Sequence, residues 1–436
     1  MGLATGQGIA SLLSIPLLWP TEFTRDTITL SYKLKWAGHS KLKATLFKNE
    51  GYLKRDETGF SQSSNPGVQA GAGIRKGETD SIGFNLLAES VLGDHILTYG
   101  VDSAKYETDY KSNLLSGVSS SSSENVTNYA IFAQDLIQLT DKFAVIPGLR
   151  YESSNLDSSL TDKRFSRFTA AFAAEYELTD SLLVKASTTQ LFKAPEIGQV
   201  FTGAGLKDAA NPGINEETGL NTEISLAYEA RVLGADQFIA GITVFQTDID
   251  DYIYDSAPAP SGGKNKWKDN IGDMQIEGFE SYIGYNVGQL STLLTFSKSE
   301  SELDAKSQYL SYDNARLDRE QDDTINLNID YKIPSVNLIL HWDSLLVDDL
   351  GSHSDLNGAS NDRSKDSYKV HNISARWKPS STKDFALTIG VDNLFDEFYT
   401  SHSSRTGVSI HPFFGKLDLS DFEPGRNIKA TVSFEL

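Results

Sequence analysis

Cysteine is absent from this 436-residue chain, and positive charge is scarce. Without cysteine there is no disulfide framework, no thiolate metal site and no cysteine nucleophile, which suits export through an oxidising periplasm. Lys and Arg number 39 against 59 Asp and Glu, so the net charge is −20. Nucleic acid is therefore a poor partner, because phosphate binding needs a basic surface.

Long hydrophobic runs are also missing. No stretch reaches the roughly 18 apolar residues that a membrane-spanning helix needs, and the nearest, residues 9–19, is interrupted by Ser11, Ser14 and Pro16. That stretch has no basic region before it and no clear cleavage site after it, so it does not read as a signal peptide. We therefore expect that Met1 is not the start of the natural protein.

No constellation of catalytic residues stands out. We find no nucleophile–base pattern, no phosphate-binding loop and no zinc-ligand spacing, and we predict that the protein is not an enzyme and has no metal of its own. The serine-rich run at residues 116–123 is interpreted as a low-complexity loop.

Strict alternation of apolar and polar residues dominates what is present. In residues 27–36, Ile28, Leu30 and Tyr32 alternate with Thr29 and Ser31, as in a strand with one apolar face. The same period recurs in about 17 segments, at residues 27–36, 41–53, 80–88, 96–106, 125–137, 143–151, 165–176, 182–191, 223–232, 238–247, 276–287, 290–296, 324–332, 336–346, 373–377, 385–394 and 428–436.

Short turns and long polar loops alternate between these segments. Short turns on one rim, long loops on the other and one apolar face per strand are typical of a transmembrane antiparallel β-barrel, an all-β fold with a wet lumen. Aromatic residues at the strand ends predict two girdles at the membrane interfaces. The short-turn girdle comprises Trp36, Tyr176, Tyr331 and Trp377, and the long-loop girdle comprises Tyr106, Tyr151, Phe192 and Tyr399.

Six runs resemble sequence blocks of the TonB-dependent outer-membrane receptors, and more closely their haem and haemoglobin receptor branch. They are HILTYGVD at 95–102, AVIPGLRY at 144–151, LFKAP at 191–195, NPGI at 211–214 leading to Glu223, GVDNLFD at 390–396 with Tyr399, and PGRN at 424–427.

The resemblance implies a 22-stranded barrel filled by a plug domain. If the last strand here matches the family's last, the first strand here is the family's sixth. Residues 1–26 would then be a loop remnant and residues 27–436 a partial barrel, without plug or TonB-contacting segment. We expect that this polypeptide alone cannot carry out gated uptake.

The implied function is outer-membrane uptake of an iron complex, either haem or a haem-protein or another ferric complex such as a siderophore. That ligand would be cargo rather than a cofactor. The implied partners are membrane lipid, lipopolysaccharide, an extracellular iron or haem carrier and the TonB complex. A passive porin-like pore or a non-transporting barrel fragment is the alternative.

The long loop after residue 191 is the predicted ligand-binding loop, through Phe192, Lys193, Ala194, Pro195, Asn211 and Pro212. Haem receptors resemble one another in placing a histidine between these two motifs, but residues 196–210 contain none. The candidate iron ligands are instead His353, His402 and His411, with Tyr252 and Tyr254 as further candidates, since imidazole and phenolate can ligate haem iron. For each of them, a solvated loop histidine or a girdle tyrosine is the competing interpretation.

Charged residues on the predicted lumen face, namely Arg150, Lys185, Glu280 and Arg376, are expected to pair with one another or with a plug.

Overall fold

A computed structural model of the chain describes residues 20–36, 40–158, 162–197, 211–258, 266–317, 319–354, 356, 362–379, 385–404, 407–411, 415–419 and 422–434. Within these ranges the structure is mostly β-strand. No helix among them is long and apolar enough to cross a membrane.

Seventeen strands form a single antiparallel sheet in which each strand pairs with the next one along the chain. They are β1 Thr21–Lys35, β2 Lys41–Asp56, β3 Gly73–Leu92, β4 His95–Leu114, β5 Ser119–Thr140, β6 Phe143–Ser158, β7 Asp162–Thr179, β8 Leu182–Lys193, β9 Glu217–Ala230, β10 Gln237–Pro258, β11 Lys266–Val287, β12 Leu290–Ala305, β13 Thr324–Ile333, β14 Leu338–Val347, β17 Tyr368–Trp377, β18 Phe385–Asp392 and β21 Asn427–Phe434. The predicted count of 17 strands is confirmed.

The long loops carry the remaining elements. Two hairpins, β15 Leu350–Ser354 with β16 Asp362–Lys365 and β19 Gly407–His411 with β20 Gly415–Leu419, lie in the last two long loops. A short α-helix, Pro66–Ala70, follows the 3-10 helix Thr58–Gln62, and a further 3-10 helix spans Ser307–Tyr312. A last 3-10 helix, Pro334–Val336, lies instead in the short turn between β13 and β14.

Strand register sorts the side chains onto two faces. In the β1–β2 pair, Thr27 donates to Asn49 at 2.9 Å across one face, while Ile28 on the opposite face is 71% exposed. Polar contacts continue on the first face around the sheet, and we call it the lumen face. The lumen-face pairs include Arg150 with Asp102, Lys185 with Glu175, His341 with Asp330, and Lys429 with Asp392.

The strands extend further toward the long-loop rim than alternation predicts. The segment predicted at 80–88 belongs to a strand of 20 residues, β3, and β1 begins at Thr21, inside the predicted loop remnant. The interpretation of the serine run as a loop is wrong from Ser119 onward, because β5 begins there. Above the membrane both faces of the sheet meet water, so apolar and polar side chains need not alternate there. The strands continue, paired by backbone hydrogen bonds, without the alternation that would predict them.

The sheet has two outer edges, β1 and β21. Every residue of both strands is exposed, whereas β2 alternates between half-buried and exposed positions. Within the described ranges, β1 pairs only with β2, and β21 only with β18. With an odd number of antiparallel strands, the two edge strands run in the same direction.

Aromatic rings on the lumen face lie over glycines of the neighbouring strand. Four such pairs stand directly opposite in register, Phe47 with Gly83, Phe132 with Gly100, Phe245 with Gly278 and Tyr282 with Gly241. A Cβ atom at Gly100 would lie 2.3 Å from the Leu86 carbonyl oxygen and 2.6 Å from Phe132 Cζ. Glycine therefore lets a large ring fill the lumen face without separating the strands.

Substituting Gly100→Ala should destabilise the folded sheet by about 1–3 kcal/mol, the usual cost of forcing atoms into a packed site. The matched control is Gly77→Ala in β3, where the nearest atom to a new Cβ is Tyr110 Cδ2 at 3.7 Å; it should change stability by less than about 0.5 kcal/mol. Urea unfolding in detergent micelles, followed by tryptophan fluorescence, measures both. Equal stability of the two variants would contradict the packing argument.

Candidate functional site

The apolar clusters of the molecule lie at its long-loop end, where side chains on the lumen face meet the long loops. Three separate clusters of buried residues are present in the described ranges. The first contains Ala257, Ile271, Met274, Leu303, Ala305, Tyr309, Ala315 and Leu356; the second Val126, Leu156, Phe165, Ile214 and Ile253; the third Val347, Tyr368 and Val370. The loops at this rim are therefore packed structures with cores of their own.

The two motifs that flank the predicted ligand-binding loop meet in the second cluster. Phe192 and Ala194 of the first motif pack against this cluster, which contains the fully buried Ile214 of the second motif. Pro195 is also among the most buried side chains. Because residues 198–210 lie outside the described ranges, the structure defines the two ends of this loop, and both are held in one apolar core.

Hydrogen bonds fix the second motif to the neighbouring loops. The Asn211 side-chain amide donates to Asp269 at 2.8 Å, and its oxygen accepts from the Gly213 amide at 2.9 Å. The other oxygen of Asp269 accepts from the Tyr309 hydroxyl at 2.6 Å. One carboxylate thus joins the ligand loop to the β12–β13 loop.

Asn270 is the most completely bonded residue of this junction. Its side chain is 3% exposed. It accepts from the Asn215 amide at 2.8 Å and donates to the carbonyls of Asn215 at 3.2 Å and Asp251 at 2.6 Å. Asn270 therefore satisfies backbone groups on both sides of the junction, which would be costly to leave unpaired when buried.

Two ionic contacts reinforce the junction. Lys163 donates to the Ile214 carbonyl at 2.9 Å and to the Asn215 side chain at 3.0 Å. Lys193 of the first motif pairs with the buried carboxylate of Glu217 at 3.0 Å, and Glu217 also accepts from the Ile253 amide at 2.7 Å. Lys193 and the residues around Asn211 thus have structural partners within the protein.

A cavity of about 1050 Å³ opens on the lumen face below this junction. Residues 192–197 form part of its lining, together with Phe47, Asn49, Asp102 and Arg150. Arg150 pairs with Asp102 at 3.3 Å and with Glu152 at 2.9 Å. The prediction that charges on the lumen face pair with one another is therefore confirmed for Arg150. Residues 192–197, at the first end of the predicted loop, therefore border a space lined by both apolar and charged side chains.

Contacts also link the remaining long loops to one another. The buried Arg316 donates to the Gly351 carbonyl at 2.9 Å, and the Leu356 amide donates to the Arg316 carbonyl at 3.0 Å. Tyr254 donates its hydroxyl to the Leu356 carbonyl. Together with the Asp269 contacts, these bonds connect the loops between β8 and β17 into one assembly.

The structure places His402 inside the last long loop, with its side chain 0% exposed. Its Nε2 atom donates to the Asp366 carbonyl at 3.0 Å, and Lys365 donates to the His402 carbonyl at 2.9 Å. Burial lowers the pKa of the His402 imidazole, and nearby Lys365 and Arg316 lower it further, against the opposing effects of the Asp366 carbonyl and Asp322. His402 is thus a buried residue of the last long loop whose Nε2 atom bonds the protein backbone, and its role as an iron ligand stays a prediction.

The other candidate iron ligands lie in different elements of the described chain. His353 lies in β15 and His411 in β19, and their side chains are outside the described part of the chain. Tyr252 and Tyr254 pack against the first apolar cluster. The structure thus turns His402 and both tyrosines toward protein neighbours.

Two more of the sequence blocks form a single corner next to the sheet edge. The buried Asn393 accepts from the Glu397 amide at 2.7 Å and donates to the Glu397 carbonyl at 2.8 Å. Asp396 accepts from the Arg426 amide at 2.7 Å. These blocks therefore set where β21 enters the sheet, which is a structural role.

Two members of the predicted long-loop girdle lie inside the loop assembly instead. Phe192 packs against the second cluster, and Tyr399 packs against the third, where it stacks on Tyr368 with ring centroids 4.5 Å apart. The girdle prediction is wrong for these two residues because it used position along the strand, which does not say whether a ring turns outward.

Sequence reasoning also missed Asp269, Asn270 and Tyr309, which lie in no recognisable motif.

The sheet is an antiparallel meander with a polar lumen face, an exposed apolar face and packed long loops on one rim. These features define a bacterial outer-membrane β-barrel protein of the receptor class. A family model described as TonB dependent receptor-like, beta-barrel, matches residues 11–394. The chain belongs to this family, whose members are transporters and receptors of the outer membrane rather than enzymes.

Individual relatives are similar over most of this chain. The ferric enterobactin receptor of Pseudomonas aeruginosa is 24% identical over 73% of this chain and 44% of its own length. The haem transporter BhuA of Brucella abortus is 24% identical over 71% of this chain and 44% of its own. Among solved structures, the copper transporter OprC superposes with a TM-score of 0.73 at 17% identity, covering 94% of this chain and 65% of that one. The chain thus spans less than half the length of these curated relatives.

Removing the Asn270 side chain should loosen the ligand loop. In Asn270→Ala, the Asn215 amide loses its acceptor, so its hydrogen exchange should accelerate about tenfold or more. Asn328→Ala removes a lumen-face amide that bonds only Asn326 at 3.0 Å and should leave Asn215 unchanged. Hydrogen exchange read by mass spectrometry measures both, and unchanged exchange in the Asn270 variant would show that this junction is not the anchor.

The last long loop should loosen in acid. The pKa of His402 lies below its unfolded value of about 6.5, so the unfolded loop binds more protons, and stability falls as pH drops below that value. A nitroxide on Ser403→Cys, in a chain with no other cysteine, should show a narrower spectrum below about pH 6.5. His402→Gln, which keeps a donor for the Asp366 carbonyl, should remove this dependence; the same narrowing in the glutamine variant would exclude His402 as its source.

Proposed function

We propose that this chain forms the barrel wall and extracellular loops of an importer for an iron complex, with haem or a haem-protein as the ligand. The observation that carries the proposal is the ligand loop, whose two ends are held in one apolar core over a lumen cavity of about 1050 Å³. A loop so anchored can present a binding surface to the outside while it stays in contact with the lumen. The protein binds and passes its ligand without chemical conversion.

Similarity to a ferric enterobactin receptor and to a haem transporter supports iron as the common element of the cargo. The resemblance of the six sequence blocks to haem and haemoglobin receptors favours haem among the iron complexes. We propose an extracellular haem or iron carrier, the TonB complex and outer-membrane lipopolysaccharide as the partners of the complete receptor.

We propose two of the three candidate histidines as axial ligands of the haem iron. His402 is buried and bonded to the Asp366 carbonyl, so we assign the role to His353 and His411 in the two hairpins of the last long loops. Phe192, Lys193, Ala194, Pro195, Asn211 and Pro212 contribute by positioning the loop at residues 198–210. Their contacts are with the protein, and the loop between them would meet the ligand.

We also propose that the sheet is most of the wall of a closed barrel. Because β1 and β21 run in the same direction, full antiparallel closure needs an odd number of additional strands between them. A barrel leaves no open edge in the membrane, where unpaired backbone groups are costly.

Haem titration tests the ligand assignment. Added to the full chain in detergent micelles, micromolar haem should shift and sharpen its Soret band, and a His353→Ala/His411→Ala double variant should lose most of the shift. The control is His95→Ala, which alters a histidine at the first position of β4, on the opposite, short-turn rim, and should behave like the parent chain.

The absence of any Soret shift in the parent chain would overturn the haem assignment. Quenching of tryptophan fluorescence by a ferric catecholate, in the same samples, would then reassign the cargo to a siderophore. A shift that survives in the double variant would show that haem binds without these histidines.

A further inference from the structure

An imidazole lies on the lipid-facing side of the sheet, near the long-loop rim. Tyr368 and Val370 of β17 are buried in the third apolar cluster on the lumen side, so the alternate residues Lys369 and His371 face outward. Register places His371 directly opposite Ser344 of β14. Ionisable side chains at the membrane face are costly without a partner and commonly mark functional sites.

A short chain of hydrogen bonds holds the His371 ring. Trp342 Nε1 donates to the Ser344 hydroxyl at 2.6 Å, and this hydroxyl is 2.8 Å from His371 Nδ1. Ser344 is only 4% exposed, so the protein shields these bonds from its surroundings. The rings of Trp342 and Phe395 contact the imidazole edge-on, with centroids 5.9 and 5.2 Å from its own. Together these contacts fix the orientation of the imidazole.

The second ring nitrogen, His371 Nε2, has no hydrogen-bond partner in the described part of the chain. Because the Ser344 oxygen already accepts from Trp342, its own proton is available to Nδ1. With that hydroxyl donating to Nδ1, the imidazole carries its hydrogen on Nε2, on the other side of the ring. His371 therefore presents a hydrogen-bond donor that points away from Ser344.

Three other lysines on the outer face are neutralised by a glutamate two residues further along the same strand. The pairs are Lys48 with Glu50, Lys105 with Glu107, and Lys298 with Glu300. Lys369 differs, because Ser367 and His371 occupy the two positions at this spacing. It is exposed and forms no ion pair with another described residue. A cation and a hydrogen-bond donor thus stand about 6.8 Å apart along the strand, and no described carboxylate pairs with either.

We propose that Lys369 and His371 bind a phosphate group of lipopolysaccharide. Trp342 and Phe395, which border the pair, are 36% and 63% exposed, and aromatic side chains at a membrane interface lie at the level of the headgroups. A phosphate carries negative charge and several acceptor oxygens, so one group can accept from His371 Nε2 and pair with the Lys369 ammonium. The acyl chains of the same molecule would pack against the apolar outer face below. This inference rests on the proposal that lipopolysaccharide is a partner of the complete receptor.

Native mass spectrometry of the full chain in detergent micelles tests the site. The probe is lipid A, the phosphorylated membrane anchor of lipopolysaccharide, and the reference is lipid A from which the phosphates have been removed. The parent chain should bind the phosphorylated form about tenfold more tightly than the phosphate-free form, because hydrogen bonds to a charged group are the stronger ones. Equal binding of the two lipids would overturn the proposal.

A double variant locates this preference on the outer face. Lys369→Gln/His371→Gln should lose most of it, since the change removes the cation and the imidazole donor and keeps polar side chains. The matched control is Lys48→Gln/His341→Gln, which alters the same residue types where each already has a carboxylate partner. The control should bind like the parent chain. An unchanged preference in the Lys369/His371 variant would show that phosphate binds elsewhere and that the proposal is wrong.

Ser344→Ala tests whether the hydrogen-bond chain positions His371. This variant keeps Lys369 and His371 and removes the contact at Nδ1, so the preference for phosphorylated lipid A should fall about threefold. Ser344→Thr retains the hydroxyl and should keep the parent preference. Stability in urea, measured on the same samples, separates positioning from folding. An alanine variant with the full preference would contradict the positioning role.

Inorganic phosphate distinguishes a membrane-anchored phosphate from a free anion. Added to the complex of the parent chain with lipid A, it should leave the lipid bound, because the acyl chains also hold the lipid at the apolar outer face. Displacement by inorganic phosphate would show that the site takes a free anion, which would overturn the assignment to lipopolysaccharide.

Haem titration of the same variants separates this inference from the proposed import function. Lys369 and His371 face outward, away from the lumen cavity, so their double variant should keep the Soret shift of the parent chain. A retained Soret shift with an unchanged lipid A preference would refute the phosphate site alone. A parent chain that shows no Soret shift and still prefers phosphorylated lipid A would refute the haem assignment alone.

Discussion

Backbone hydrogen bonding between neighbouring strands is the constraint on which this structure depends. A chain in hydrocarbon has no water to bond its amides and carbonyls, so each membrane-spanning strand must find partners on both sides. Here each strand is bonded to the next one along the chain, which keeps the connections short at one rim. Side chains are then free to alternate between lipid and lumen, and no large apolar core is required in the wall.

The long loops, which lie outside the membrane, carry the three apolar clusters of the molecule. Above the membrane the strands continue for many residues, and their ends enclose three small apolar cores. Polar groups buried with these cores, above all Asp269 and Asn270, bond the backbone of one loop to the next. These bonds hold both ends of the loop at residues 198–210 against the neighbouring loops.

The two edge strands of the sheet show the same constraint from the other side. β1 and β21 are exposed along their whole lengths, and within the described ranges each pairs with one neighbour, β1 with β2 and β21 with β18. Backbone groups on the outer side of an edge strand have no partner within the sheet.

The sequence by itself determined the class of fold and the number of strands, because period-two alternation follows directly from having lipid on one face and water on the other. Its two flanking motifs also predicted a ligand-binding loop, and the ligand-binding role stays a prediction. Only the tertiary structure decided where strands end, since polar residues above the membrane show no period, so the serines from Ser119 onward were misread. It alone turned Phe192 and Tyr399 inward, buried His402 against the Asp366 carbonyl, and assembled Asn270 with Asn215. Those placements depend on contacts between residues distant in the chain, which no local pattern records.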